Sequence, residues 1–264
     1  YYQPDTENYN TAFGYGALAG PIAGGEYNVA VGNNALDALT SADNSVALGY
    51  GAGGAITTGS DNTIIGKGAG AALTTGERVV FVGSLAGDGH DTENHNVAVG
   101  YNALGGSVAG GEYNTAIGNW TLDALTSGDN NTAIGYNAAG VVTTGGANTF
   151  VGHEAGVTVT EGSNNVLIGA AAGSYDGTDL TTGGNNICLG NYTKVSAADS
   201  SYQYVWGYYI TGGEDSEVAI GRTSNVVRMQ FDTDATWTRD SDLRKKKNIK
   251  PDVLGLDFVN DLNT

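Results

Sequence analysis

The sequence predicts an all-β fold, a parallel β-roll or β-solenoid built from rungs of about 17 residues. Three observations carry this reading. A glycine recurs at Gly14, Gly32, Gly49, Gly66, Gly83, Gly100, Gly118, Gly135, Gly152 and Gly169, always 17 or 18 residues after the last. Each closes a short run such as Asn28-Val29-Ala30-Val31 or Asn148-Thr149-Phe150-Val151, whose branched and aliphatic side chains suit a pleated, half-buried strand. Finally, a unit of that length cannot enclose a core by itself, so it is stable only when stacked on its neighbours.

Above this period lies a longer one. Glu7-Asn8-Tyr9-Asn10 returns as Glu93-Asn94-His95-Asn96, and Gly24-Gly25-Glu26-Tyr27-Asn28 returns as Gly110-Gly111-Glu112-Tyr113-Asn114, each displaced by 86 residues. That displacement is one interval of 18 and four of 17, so five rungs have been copied as a block.

Composition excludes several alternatives. The chain of 264 residues holds 43 Gly and only 15% charged residues, an unusual balance for a globular domain. Because the glycines are periodic, they do not signal disorder, and three Pro without a Gly-X-Y register cannot make collagen. The first residue is Tyr1 and the sole Met is Met229, as expected of a piece of a longer protein. Net charge is −17, and residues 1–221 contain just three bases, Lys67, Arg78 and Lys194. Such a surface repels phosphate, so nucleic acid is not an expected partner. No apolar run approaches the roughly 20 residues of a membrane span, and no membrane insertion is expected. Cys188 stands alone in Asn186-Ile187-Cys188-Leu189-Gly190, where a small buried hydrophobe fits better than a nucleophile. No cofactor is expected.

Along each rung, alternation puts residues such as Thr115 and Ile117 on one face of the strand and Ala116 on the other. The expectation is that the aliphatic column Phe13, Val31, Leu48, Ile65, Val82, Val99, Ile117, Ile134, Val151, Ile168 fills the core. The Ala and Gly columns would then let another backbone come close. The strand-opening residue is Asn at 10, 28, 62, 96, 114, 131, 148, 165 and 186, and a stacked column of Asn can bond the backbone of its own or the next rung. Acids precede that position at Glu26, Asp43, Asp61, Glu93, Glu112 and Asp129. One acid per rung reads as a solvated turn rather than a calcium loop. Thr pairs before glycine, such as Thr57-Thr58 and Thr143-Thr144, read as turn chemistry rather than a ladder matched to an ice lattice.

After Gly169 the interval lengthens, and Tyr192, Tyr202, Tyr204, Trp206, Tyr208 and Tyr209 form an aromatic cluster. Strands are expected at 217–221 and 225–231, where Val227, Met229 and Phe231 alternate with Arg228 and Gln230. The segment 244–250 carries five bases, followed by Leu254, Phe258 and Leu262 at helical spacing. The expected organisation is therefore a repeat rod over 1–190, an aromatic-rich β stalk over 191–240 and the start of a further segment over 241–264.

Two stretches carry a resemblance. Asn-Val-Ala-Val-Gly-Tyr-Asn-Ala-Leu at 96–104 and Asn-Thr-Ala-Ile-Gly-Tyr-Asn-Ala at 131–138 are similar to the head repeats of trimeric autotransporter adhesins, and closer to the longer-looped versions in bacteriophage tail fibres. The likeness covers about residues 7–190 and implies a left-handed β-roll assembled as a homotrimer. Downstream, Ser241, Asp242, Arg244, Lys246, Asn248 and Ile249, preceded by Trp237 and Thr238-Arg239, resemble the opening of the endosialidase-type C-terminal intramolecular chaperone. Lys245 stands where that family usually has Leu, and Leu254-Gly255-Leu256-Asp257-Phe258-Val259 continues the likeness.

What the resemblance implies is a chaperone that trimerises the fibre and then cuts itself off. Ser241 would be the nucleophile, Lys246 the base and Ser241–Asp242 the scissile bond. A lysine can serve such a hydroxyl once neighbouring cations or burial lower its pKa, and Lys245 and Lys247 flank it. The expected function is a structural fibre or spike subunit of a phage virion, attaching to a host-surface glycan or protein receptor and joined to other tail proteins. A glycan-degrading tailspike is the alternative from another class, but no rung carries a catalytic acid pair that breaks the repeat. A bacterial trimeric surface adhesin is the third, which the chaperone motif disfavours.

Overall fold

The computed structural model describes residues 9–107, 110–175, 179–232 and, for the backbone alone, 238–240. Each rung contributes one three-residue strand: β1 (Thr11–Phe13), β2 (Val29–Val31), β3 (Val46–Leu48), β4 (Thr63–Ile65), β5 (Val80–Val82) and β6 (Val97–Val99). The series goes on through β7 (Thr115–Ile117), β8 (Thr132–Ile134), β9 (Thr149–Val151), β10 (Val166–Ile168) and β11 (Ile187–Leu189). Longer strands follow as β12 (Tyr204–Tyr208), β13 (Glu217–Arg222) and β14 (Asn225–Gln230), with β15 (Thr238–Asp240) last. All fifteen lie in one sheet in chain order, and among the described residues no helix occurs.

The chain is thus an all-β parallel β-solenoid of about 12 turns. Equivalent residues pair from rung to rung, as in Thr115↔Thr132, Ala116↔Ala133 and Ile117↔Ile134. At about 4.8 Å per step, β1 to β11 span about 50 Å. The parallel ladder does not stop at Gly190: β12 pairs with β11 and β13 with β12 in the same sense. Only β14 and β15 reverse, each antiparallel to the strand before it.

The marker glycine is required twice over. At Gly118 the backbone has φ +138°, and a Cβ there would lie 2.2 Å from the carbonyl oxygen of Gly135 one rung on. The close backbone approach expected of the glycine column is therefore made by the chain's own next rung. Asparagine holds the opposite corner as expected. Asn131 donates from Nδ2 to the Gly145 carbonyl at 2.9 Å, and its Oδ1 accepts from the backbone and side-chain nitrogens of Asn148 at 3.1 and 3.0 Å. The same pattern recurs at Asn114, Asn148 and Asn165, all buried. Threonine adds a parallel ladder of its own, Thr126 Oγ1 bonding the Thr143 carbonyl and Thr143 Oγ1 that of Thr160.

The interior is the reverse of what strand alternation suggests. Ala30, Ala47, Ile64, Phe81, Ala98, Ala116, Ala133, Phe150, Leu167 and Cys188, the strand centres, are fully buried. Phe13, Leu48, Ile117, Ile134 and Ile168, expected in the core, point outward and are 38–77% exposed. A three-residue strand aims one side chain in and two out, and the inside must also hold residues from the turns. Leu36, Leu39, Leu122 and Leu125 fill that space, so the strand centre has little room left.

In most rungs volume is traded between the strand centre and the residue six positions on. Small centres have large partners in Ala30 with Leu36, Ala98 with Leu104 and Ala116 with Leu122, but Ala133 is matched with Ala139 and Ala47 with Gly53. Where the centre is large, the partner is glycine. A Cβ on Gly87 would meet the Phe81 ring at 2.5 Å, and one on Gly156 the Phe150 ring at 2.2 Å. At Gly53 the Leu36 and Ile64 side chains of the adjoining rungs close in beside Ile56, so the core is filled across rungs as well as within them.

Candidate interaction surface

The outward strand positions build a continuous face. One column runs Val29, Val46, Thr63, Val80, Val97, Thr115, Thr132, Thr149, Val166 and Ile187, and beside it runs Val31, Leu48, Ile65, Val82, Val99, Ile117, Ile134, Val151, Ile168 and Leu189. Every member is half-buried or exposed. No charged residue falls on this face in a chain of net charge −17. It measures about 50 Å by about 10 Å, the scale of patch that marks an interaction site.

Just past this face, where each rung turns at its marker glycine, lies an aromatic strip. Tyr101, Trp120, Tyr136 and His153 occupy four successive rungs. Ring centroids are 5.5 Å apart from Tyr101 to Trp120, 5.5 Å from Trp120 to Tyr136 and 5.3 Å from Tyr136 to His153. Their exposures are 44, 38 and 45% for the first three, and the His153 side chain is 61% exposed. The turn backbone fixes them, since Trp120 N–H donates to the Tyr101 carbonyl at 3.0 Å and Glu154 N–H to that of Tyr136 at 2.9 Å. Polar groups border the rings. Asn119 Oδ1 accepts from Tyr101 N–H at 2.9 Å, Glu154 lies 3.6 Å from His153 Nδ1, and Asn102 donates to Asp123. A second aromatic group, Tyr175, Tyr192, Tyr208 and Tyr209, packs edge to face or tilted further along the rod.

One rung departs from the repeat chemically. His90 takes the core position held elsewhere by Leu39, Ile56, Leu73 and Leu125, and it is fully buried, edge-on to Phe81 at 5.3 Å. Neither ring nitrogen completes a hydrogen bond. Burial drives its pKa down to about 4, against the opposing pull of the Glu93 and Asp91 carboxylates and the Leu104 carbonyl. Glu93, also buried, accepts from the backbone N–H groups of Asp91, Thr92 and Gly110. Burial likewise raises Asp88 and Asp123 above the usual carboxylate range, the charge of Asp123 adding to the shift at Asp88. The column pattern alone does not disclose this cluster; the signal was the run Asp88-Gly89-His90-Asp91-Thr92-Glu93, the densest titratable stretch in the rod.

The remaining acidic turns act on backbone. Asp43 Oδ1 accepts from Glu26 N–H and Asp129 Oδ1 from Glu112 N–H, each at 2.8 Å. Among the described residues no group of three or more His, Cys, Asp or Glu gathers as metal ligands would. Cys188 is buried with its thiol pushed up to about 12 by desolvation, consistent with a packing role. Ser241, Asp242 and Lys246 lie outside the described residues, as does the segment expected to be helical. No family model matches the chain, and no curated protein or solved structure matches it either.

Proposed function

We propose that this chain is the rod of a homotrimeric fibre or spike of a phage particle, used for attachment to a host surface. The observation that carries the proposal is the uncharged strand face running the length of the rod. A solenoid needs no second chain to complete its core, so an apolar face kept free of charge over eleven rungs serves association. The strand face replaces the Ala and Gly columns as the meeting surface, because those columns are buried within one chain. The acidic turns lie on other sides of the rung and keep a long particle soluble. The repeat likeness at 96–104 and 131–138 and the chaperone-like residues at 241–249 support the same reading.

In this proposal a C-terminal chaperone brings three chains together and then leaves by cleavage at Ser241–Asp242. Lys246 takes the proton of the Ser241 hydroxyl as it attacks the carbonyl of the Ser241–Asp242 bond; the C–N bond breaks as the Lys246 ammonium returns a proton to the leaving Asp242 amine, and water then hydrolyses the ester to leave a Ser241 carboxylate. The test uses the full-length gene product. Light scattering should give three chain masses, and mass spectrometry should find a fibre ending at Ser241 and a fragment beginning at Asp242. Ser241→Ala and Lys246→Arg should leave a trimer that still carries its chaperone, whereas Lys245→Ala should cleave normally. A stable monomer would overturn the assembly, and cleavage in Ser241→Ala would overturn the mechanism alone.

A further inference from the structure

We infer that the strip Tyr101, Trp120, Tyr136 and His153 is a binding platform for an uncharged oligosaccharide; this rests on the attachment reading above and names its ligand class. Four exposed rings on adjacent rungs are not demanded by the repeat. Tyr101, Tyr136 and His153 directly follow their marker glycines, where other rungs have Asn33, Lys67, Ser84 and Ala170, and Trp120 stands one place further on, where other rungs have Asn34, Asn102 and Asn137, so the ladder stacks without an aromatic at either place. The core is complete beneath them, with Ala116, Leu122, Ala133 and Ala139 fully buried.

The geometry of the rings favours sugar. Trp120 stands at 83° to Tyr101 and 86° to Tyr136. Edge-to-face packing covers less of each π face than stacking does, and within the strip only Tyr136 and His153 are stacked, at 12°. A pyranose presents an apolar face of C–H bonds that lies flat on such a ring, while its hydroxyls project sideways and need polar partners. Here the exposed Asn119, the Asn102–Asp123 pair and Glu154 border the rings. The ring-to-ring step of 5.3–5.5 Å is comparable to one sugar unit, so the strip offers places for three or four. Because each ring is anchored by rung-to-rung backbone bonds, little ordering is left to occur on binding.

Charge selects among glycans. Between Arg78 and Lys194 the chain has no Lys or Arg, whereas Asp123 and Glu154 flank the strip. A sialylated, sulfated or phosphorylated glycan would meet the repulsion of these two carboxylates with no Lys or Arg beside them to offset it. The ligand is therefore a neutral oligomer of hexose or N-acetylhexosamine.

The test is a glycan array carrying neutral hexose and N-acetylhexosamine oligomers beside sialylated and sulfated ones, probed with the assembled 264-residue chain. Binding should concentrate on neutral oligomers of three or more units, and Trp120→Ala should weaken it about tenfold with melting temperature and oligomeric mass kept. Tyr50→Ala is the control, because Tyr50 is 59% exposed but has Asn33 and Lys67 at the same place on the adjoining rungs. If Trp120→Ala fails to fold, Tyr101→Ala and Tyr136→Ala carry the comparison. Preference for anionic glycans, no array binding by the unsubstituted chain, or equal binding by the Trp120 variant would overturn the inference. A trimer that binds no glycan defeats this inference alone, and a monomer that binds neutral oligomers through Trp120 defeats the assembly reading alone.

Discussion

At the residue scale His90 is the buried group through which solution pH acts on the rod. It is neutral in the folded chain because protonation inside the core would strand a cation beside Phe81. In the unfolded chain it titrates near 6.5, and in the fold near 4. Its contribution to stability is therefore intact above about pH 6.5, declines as pH falls, and is spent below about pH 4, a loss of about 3 kcal/mol. His90→Leu restores the residue found at equivalent rungs. It should flatten the melting-temperature profile between pH 7 and pH 4, which circular dichroism would follow; an unchanged profile would mean that other groups dominate acid unfolding. The identity of His90 was plain in the sequence, but its burial was not, since only the seven-residue offset from Gly83 places it in the leucine column.

At the scale of the rung, the period, the asparagine corner and the glycine at the strand end were all legible, because each recurs at fixed spacing and answers a backbone need. The direction of the strand was not. Alternation divides Thr115, Ala116 and Ile117 into faces but does not say which is inside, and the larger apolar pair was expected there. The turn residues settle the matter, as Leu122 and Leu125 already occupy the interior. The reciprocal pairing of Ala116 with Leu122, and of Phe81 with Gly87, was written in the chain six residues apart, but it reads as a pattern only once those positions are known to touch. Two substitutions test the rung. Gly118→Ala must place a Cβ against the Gly135 carbonyl at a positive φ, and should cost at least about 2 kcal/mol. Asn131→Ala strips the acceptor from Asn148 and the donor from Gly145, leaving buried polar groups unpaired at about 3 kcal/mol. Chemical denaturation measures both; a loss below about 1 kcal/mol for either would mean the ladder relaxes around the change.

At the scale of the whole molecule, the proposed assembly uses a face that folding does not, so the two can be separated. Ile117→Glu and Ile134→Glu, at 39 and 38% exposure, put carboxylates on the strand face without entering the core. They should leave the strand signal in circular dichroism unchanged and reduce the light-scattering mass to that of one chain. Retention of the unsubstituted mass would place the meeting surface elsewhere. Ala116→Leu should do the opposite, overfilling the interior at about 1–3 kcal/mol, because Ala116 is fully buried. The parallel stacking of like on like has a mechanical corollary. Tension applied along the chain from its two ends meets the same few hydrogen bonds at each rung in turn, with no single interlock holding the rest. A lone rod should therefore peel in steps, each paying out about 60 Å of slack, so that it absorbs a tug in instalments instead of snapping at a threshold.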